Sequence, residues 1–419
     1  TFLLLRIEFR IILLLMSIFI LSFFYNYFPI LPDGVKVISE IYILIFFLEI
    51  FIKKKFIKVL LYNKITKYVA IYTLGFTFIF LVSSILNGSN ILFSLLEFRK
   101  IIFPLSFLFT LNYYSIIKNR IYNFELFLKY VFTIQLILIP VQYIFFDLYK
   151  NSMATYITKI DCASGTFGVG TSLIGIFIIS YFIYYYNLNN NSPKSFFLLY
   201  PLAFIFSGGA NTILIGAFGL NFITQKNNIK SLSKILVGIL CIFLLFQVIS
   251  KLFFEKDLLK SSYTYVIDGM ERYTSEESGE LMSNQKLSRY KGPAYAYYKL
   301  IQFDKLLFGF GNSVYASSKV LESKYNKFSL NEVINLVPEL MLKYGLAGLL
   351  INLIFYFYLL IYYFSRRKVN IYYHISYILV FIAIVSFMYT KPIYQQIFLA
   401  FIYFNFFKAE MLQKNINYG

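Results

Sequence analysis

Arg289, Arg272 and Arg99 are the residues from which a chemistry is most directly read. Lysine supplies most of the positive charge in this chain, so an arginine marks a place where a planar, permanently protonated fork is wanted. Such a fork grips phosphate oxygens in pairs and steadies charge that grows on a leaving phosphate. Arg289 lies in Ser288-Arg289-Tyr290-Lys291, within the amphipathic stretch Lys286 to Lys305, and reads either as a solvated helix face or as that phosphate contact. Arg99 belongs to Glu97-Phe98-Arg99-Lys100, a charged cluster inside an apolar run. It is either self-paired and snorkelling to an interface or a headgroup-level phosphate contact. Arg272 stands among Glu271, Glu276, Glu277 and Glu280, and reads first as a surface ion-pair partner. Three carboxylates lie within reach by sequence: Asp304, Glu332 and Glu339. Glu332 reads as an interfacial acid, and Glu339 either as an interfacial acid or as a general base for an attacking hydroxyl. Tyr290, Tyr295, Tyr297, Tyr298 and Tyr315 offer faces on which sugar rings stack, although interfacial anchoring accounts for most aromatics in the chain.

Other chemistries are excluded. There is no phosphate-binding glycine loop with lysine and no dinucleotide fingerprint. The single histidine, His374, follows the Arg366-Arg367-Lys368 cluster and reads as an interfacial residue on the opposite face from Arg289 and Arg272, so a histidine triad or histidine-ligated metal beside those two is ruled out. Cys162 and Cys241 have no metal-ligand spacing and no expected disulfide. No cofactor is implied.

The elements that carry these residues are membrane spans. The chain is 59% hydrophobic and 14% charged, against about a quarter charged in an ordinary globular protein. Apolar runs of roughly 18 residues or more, without alternation, predict helices and not a barrel. We expect an all-α integral membrane protein with about twelve spans. They are Ile7 to Tyr27, Val37 to Ile52, Tyr68 to Leu86, Ile91 to Tyr113, Phe124 to Phe146 and Thr166 to Tyr186. Phe196 to Phe206, Asn211 to Thr224, Ser233 to Ser250, Pro338 to Phe364, Tyr372 to Tyr389 and Ile393 to Phe407 follow. The first reads as a retained anchor. One polar insert, Lys251 to Glu332, breaks the pattern and divides the chain into residues 1–250, 251–332 and 333–419.

The formal charge of +19 is distributed as topology dictates. Basic residues fill alternate loops (Lys53 to Lys67, Lys118 to Lys129, Lys226 to Lys234, Arg366 to Lys368), whereas Asn87 to Asn90 and the other intervening loops are nearly neutral. This asymmetry places both termini in the cytoplasm and the insert outside. A nucleic-acid partner is not expected.

In order along the chain, several segments resemble the O-antigen polymerase and O-antigen ligase-like superfamily, the Wzy-type polymerases and their ligase relatives. Arg289 stands where that family has an arginine in its large loop. Lys305-Leu306-Leu307-Phe308-Gly309-Phe310-Gly311 is similar to its "Pro-Leu-Leu-Gly-x-Gly", and Glu339 with Lys343-Tyr344-Gly345-Leu346-Ala347-Gly348-Leu349 to its "Glu-x-Gly-Leu-x-Gly-Leu". Ser164-Gly165-Thr166-Phe167-Gly168 resembles the family's "Gly-Thr-Phe" opening of a mid-chain span, and Ser207-Gly208-Gly209-Ala210-Asn211-Thr212 its "Ser-Gly-Ser-Arg-Thr" turn. The chain departs twice: Ala210-Asn211 replaces an expected arginine, for which Arg99 is a substitute, and Ile334-Asn335 replaces the ligases' His-Asn.

The resemblance implies a polysaccharide repeat-unit polymerase of a bacterial inner membrane. Its substrates are oligosaccharides on undecaprenyl pyrophosphate, and a chain-length regulator protein is a further implied partner. The reaction is an inverting, metal-independent transfer. Arg289 and Glu339 are the expected catalytic residues. Arg99, Arg272, Tyr290, Lys291, Gly309, Gly311, Asn312 and Asn335 are the expected substrate contacts. A ligase of the same superfamily is the alternative, and a lipid-linked oligosaccharide flippase the alternative of another class. Against the simplest structural account, Gly309 and Gly311 are only turn glycines, and Gly345 and Gly348 only permit close helix packing.

Overall fold

A computed structural model of the chain describes residues 13, 16–17, 38–53, 55–118, 122–145, 171–205, 208–224, 291–312, 336–387 and 396–417. Among the described residues there are twelve α-helices, one 3-10 helix and no strand. The helices are α1 (Ile38–Ile52), α2 (Phe56–Leu60), α3 (Lys64–Leu86), α4 (Ile91–Lys118), α5 (Tyr122–Ile144) and α6 (Thr171–Leu188). After the 3-10 helix Pro193–Leu199 come α7 (Leu202–Ile205), α8 (Gly208–Thr224), α9 (Lys291–Gln302), α10 (Leu336–Arg366), α11 (Ile371–Ser386) and α12 (Gln396–Asn417).

Lys64–Leu86, Glu125–Ile144 and Leu336–Arg366 are long and apolar enough to cross a membrane; Leu173–Leu188 and Ile371–Ser386 are apolar but shorter. The outer face of α3 explains why water is the wrong solvent for it. Ile71, Leu74, Phe78, Leu81 and Ile85 recur at helical spacing and are all exposed, while Val69, Phe76 and Phe80 on the opposite side are buried. A helix that is apolar all round belongs in hydrocarbon. Leu350, Ile354 and Ile361 make the same outward stripe on α10. Of the expected spans, Ile7 to Tyr27 falls almost wholly outside the described residues and Ser233 to Ser250 wholly so.

In the interior, α4 packs against α1, α3 and α12, and α10 packs against α3, α9 and α11. The filling is aromatic: Tyr72 stacks on Phe355 at 4.1 Å between centroids, and Tyr363 on Phe406 at 4.7 Å. Several polar groups in this interior are paired across helices, as a membrane favours. Tyr72 donates to Asn352 Oδ1 at 2.6 Å, and Asn352 Nδ2 donates to the carbonyl of Gly348 at 2.8 Å. Pro140 has no N–H to offer the carbonyl of Leu136, four residues back. The hydroxyl of Tyr200 donates to that carbonyl instead.

Two expectations are corrected. The described part of Phe196 to Phe206 is not one helical span. It is the end of a 3-10 helix, a turn at Tyr200 and Pro201, and the four residues of α7. Pro201, lacking a donor, divides the apolar run. His374 is buried within the protein and does not lie on its surface: its Nε2 lies 2.8 Å from Asn221 Oδ1, which ties α11 to α8.

Candidate functional site

α10 carries a break that organises everything around it. Gly345 adopts φ 66° and ψ −163°, far from helical values. In an unbroken helix the N–H groups of Leu346 and Ala347 bond the carbonyls of Leu342 and Lys343. Here those four groups turn to the insert. Phe310 N donates to Leu342 O at 2.7 Å and Gly311 N to Lys343 O at 3.0 Å. Leu346 N donates to Leu306 O at 2.9 Å and Ala347 N to Leu307 O at 3.1 Å. Two internal helix bonds are exchanged for four bonds across a seam, so these four groups all keep partners.

The glycines are what let the two segments meet. A Cβ on Gly345 would stand 2.3 Å from Leu307 O, and one on Gly309 would stand 2.6 Å from both Leu342 O and Gly345 N. Gly309 and Gly311 also hold positive φ, 65° and 88°. The plain turn and packing readings of Gly309 and Gly345 are therefore insufficient. A Cβ on Gly348 would stand 2.2 Å from that of Tyr344, one turn earlier on the same kinked helix, so the contact it avoids lies within α10 and not between helices.

The turn after α3 closes the seam from the other side. Ser83 Oγ donates to the carbonyl of Lys343 at 2.7 Å. Asn87 Nδ2 donates to the carbonyls of Ser83 at 2.7 Å and Gly309 at 3.0 Å. Asn312, fully buried, donates to Ser84 Oγ. α9 covers the far flank, with Ala296 and Leu300 packed on Phe310, Met341 and Leu342. At the opposite end of the antiparallel α3–α10 pair, Tyr68 meets Tyr358 and Tyr362, close to Lys64, Lys67 and Arg366. The neutral turn and residues 306–312 thus share one end of the α3–α10 pair, and Lys64, Lys67 and Arg366 share the other.

Against this seam lies a buried charge cluster. Lys343, only 4% exposed, reaches Glu339 Oε1 at 2.7 Å and Glu97 Oε2 at 3.0 Å. Glu97 Oε1 meets Lys100 Nζ at 2.5 Å. The first pair follows from spacing: Glu339 and Lys343 are one helical turn apart on α10. Glu97 arrives from α4, whose charged turn also carries the half-buried Arg99. Two carboxylates face two ammonium groups, with a guanidinium on the same turn, and Lys100 is the most exposed of the paired groups, at 32%. Beyond Lys100 a cleft runs into the bundle, lined by Tyr72, Phe76, Pro104, Tyr356 and Tyr403. Among the described residues no His, Cys, Asp and Glu cluster fit for a metal ion occurs.

Of the expected site residues, Glu339, Arg99, Gly309, Gly311 and Asn312 are brought to this end of the bundle. Lys291 opens α9, with its side chain outside the description. Arg289, Arg272, Tyr290 and Asn335 lie outside the described residues. Sequence reasoning missed Lys343, whose signal was a lysine in an apolar run one turn after an acid. It also missed Ser83, Ser84 and Asn87, which give no signal distinct from a helix end.

A second buried polar set occupies the other end. Glu125 accepts from Tyr184 at 2.6 Å and Tyr372 at 3.0 Å and pairs with Lys408. Glu410 accepts from Tyr362 at 2.6 Å and Tyr373 at 3.0 Å.

Compared with known proteins, the chain matches no family model and no curated protein.

Proposed function

We propose that the chain is a glycosyltransferase of a bacterial inner membrane, with about twelve spans, cytoplasmic termini and an outward-facing insert. It polymerises oligosaccharide repeat units carried on undecaprenyl pyrophosphate. One observation supports this reading above the rest: Leu306 to Gly311 and Lys343 to Gly348, the two segments that carry the resemblance, are bonded to each other beside a buried carboxylate–lysine cluster. A pair of unrelated turns has no reason to interlock there.

In the proposed reaction an acceptor sugar hydroxyl attacks the anomeric carbon of the growing chain. The new glycosidic bond forms as the bond to pyrophosphate breaks, and the pyrophosphate leaves with the bonding electrons. Glu339, paired with Lys343, takes the hydroxyl proton. Arg289 binds the leaving diphosphate, with Arg99 and Lys100 as further cations for its charge.

The test is complementation of a strain deleted for the gene. Arg289→Ala and Glu339→Gln proteins that accumulate normally in the membrane are expected to yield no long-chain polysaccharide, with single repeats left on the final acceptor. Normal chain lengths remove the tested residue from the mechanism. Polymer stranded on the carrier lipid in the deletion strain makes the protein a ligase instead.

A further inference from the structure

The insert is hydrophilic as a whole, yet α9 and the turn after it present an apolar face that no described residue covers. At about 100° per residue the twelve positions of α9 divide into three arcs. Gly292, Ala296 and Leu300 form the arc seated on α10, with Pro293 at its edge. Lys291, Gln302, Tyr295 and Lys299 form a polar arc. Tyr297, Ile301, Ala294 and Tyr298 form the third, which points away from the protein: Tyr297 is 47% exposed, Ile301 50% and Tyr298 60%. Phe303 and Leu307 extend it, at 41% and 59%.

What this face adjoins identifies its occupant. The carbonyl of Leu307 accepts from Ala347 N, so Leu307 lies beside the start of the outward stripe that Leu350, Ile354 and Ile361 continue down α10. The apolar face of α9 is therefore the upper end of a surface that faces hydrocarbon. Its residues suit a boundary: tyrosines with apolar bodies and polar tips, and Lys299, whose ammonium lies 5.7 Å from the ring of Tyr295 and 5.9 Å from that of Tyr298. A water-exposed lid gains nothing from such a face, whereas a helix lying in the membrane plane requires it.

We infer that α9, with Phe303 and Leu307, is a membrane-surface helix whose outer arc sits at the headgroup–acyl boundary of the bilayer. The inference rests on the membrane-spanning reading of α10. It makes the bilayer a wall of the candidate site: lipid holds α9, α9 covers the seam, and the seam sets the break that bears Lys343.

The chain contains no tryptophan, so a single introduced one reports its own surroundings without background. The full chain carrying Tyr298→Trp is reconstituted into vesicles of phosphatidylcholine and phosphatidylglycerol, with bromine on the acyl chains near the headgroup or near the chain end. Ile354→Trp, in the middle of the outward stripe, is measured alongside. Tyr298→Trp is expected to lose more emission to the shallow bromines, and Ile354→Trp to the deep ones. If Ile354→Trp is quenched by lipid while Tyr298→Trp is quenched only by aqueous acrylamide, α9 is a solvated lid and the inference fails alone. If Tyr298→Trp is shielded from both quenchers, protein covers the face, and the inference fails equally. If neither position is quenched by lipid, the membrane reading falls with it. Tyr297→Trp, on the same arc, repeats the measurement should Tyr298→Trp not accumulate.

Discussion

The two ends of the bundle bury carboxylates in different company. At the basic end Glu410 is held by the phenols of Tyr362 and Tyr373, and Glu125 by Tyr184 and Tyr372 together with Lys408. At the insert end Glu97 and Glu339 are held by Lys343 and Lys100, beside a helix that has lost its regular bonding. At Glu410 neutral donors on rigid rings fix the carboxylate in place, and at Glu125 they share it with a single ammonium, that of Lys408. Ammonium groups on flexible stems are drawn equally to any other anion brought near, so their pairing is open to rearrangement by a charged ligand. One end is a fastening; the other can respond.

The largest effect should come from breaking the seam on which only the insert end depends. Gly345→Ala puts a Cβ 2.3 Å from the carbonyl oxygen of Leu307 on a backbone that disfavours side chains, at a cost of about 3 kcal/mol or more. Membrane accumulation should fall steeply, and Gly309→Ala should fall similarly. Combining them should add little, because either one already opens the seam. Additive losses, read from thermal unfolding in detergent, would show that the two glycines act apart.

A smaller effect separates charge from fold. Lys343→Met removes the ammonium shared by Glu97 and Glu339, leaving Glu97 to Lys100, and should cost about 3–5 kcal/mol. Adding Glu97→Gln and Glu339→Gln should recover much of that stability without recovering polysaccharide chain length. Restored chain length in the triple variant would reduce the cluster to a structural role like that of its counterpart.

The smallest effect belongs to the basic end. Tyr373→Phe removes a hydroxyl that donates to Glu410 and should cost about 1 kcal/mol in the same unfolding assay. Polysaccharide length should be unchanged; a shortened distribution would mean that this end is not a passive fastening.

Much of this architecture was legible in the sequence because hydropathy and charge act locally. Val37 to Ile52 and Tyr68 to Leu86 anticipate α1 and α3 closely. α3 begins earlier, at Lys64, because the Asn63 side chain caps it by accepting from Thr66 N at 2.9 Å. Hydropathy reports what lipid favours and is silent on caps. The amphipathic stretch Lys286 to Lys305 likewise contains α9. The seam was not legible. Ser83 and Lys343 are 260 positions apart, and neither residue's type announces the other. Gly345 reads as a small residue in a span, because its positive φ is imposed by Leu307, which lies across the seam and outside the helix. The cluster was half legible: Glu97, Arg99 and Glu339 stand out as charges in apolar runs, but Lys343, the common partner of Glu97 and Glu339, emerges only when α4 and α10 are brought together.

The exchange of two helix bonds for four also orders biosynthesis. Residues 306–311 leave the ribosome before residues 342–347, so the earlier segment can template the later one. α10 can enter the bilayer as an intact rod, its own ladder complete, and bend only when the waiting strip engages it. Assembly then finishes with a bend made after insertion, so a chain truncated just beyond Leu349 should already contain both halves of the clasp.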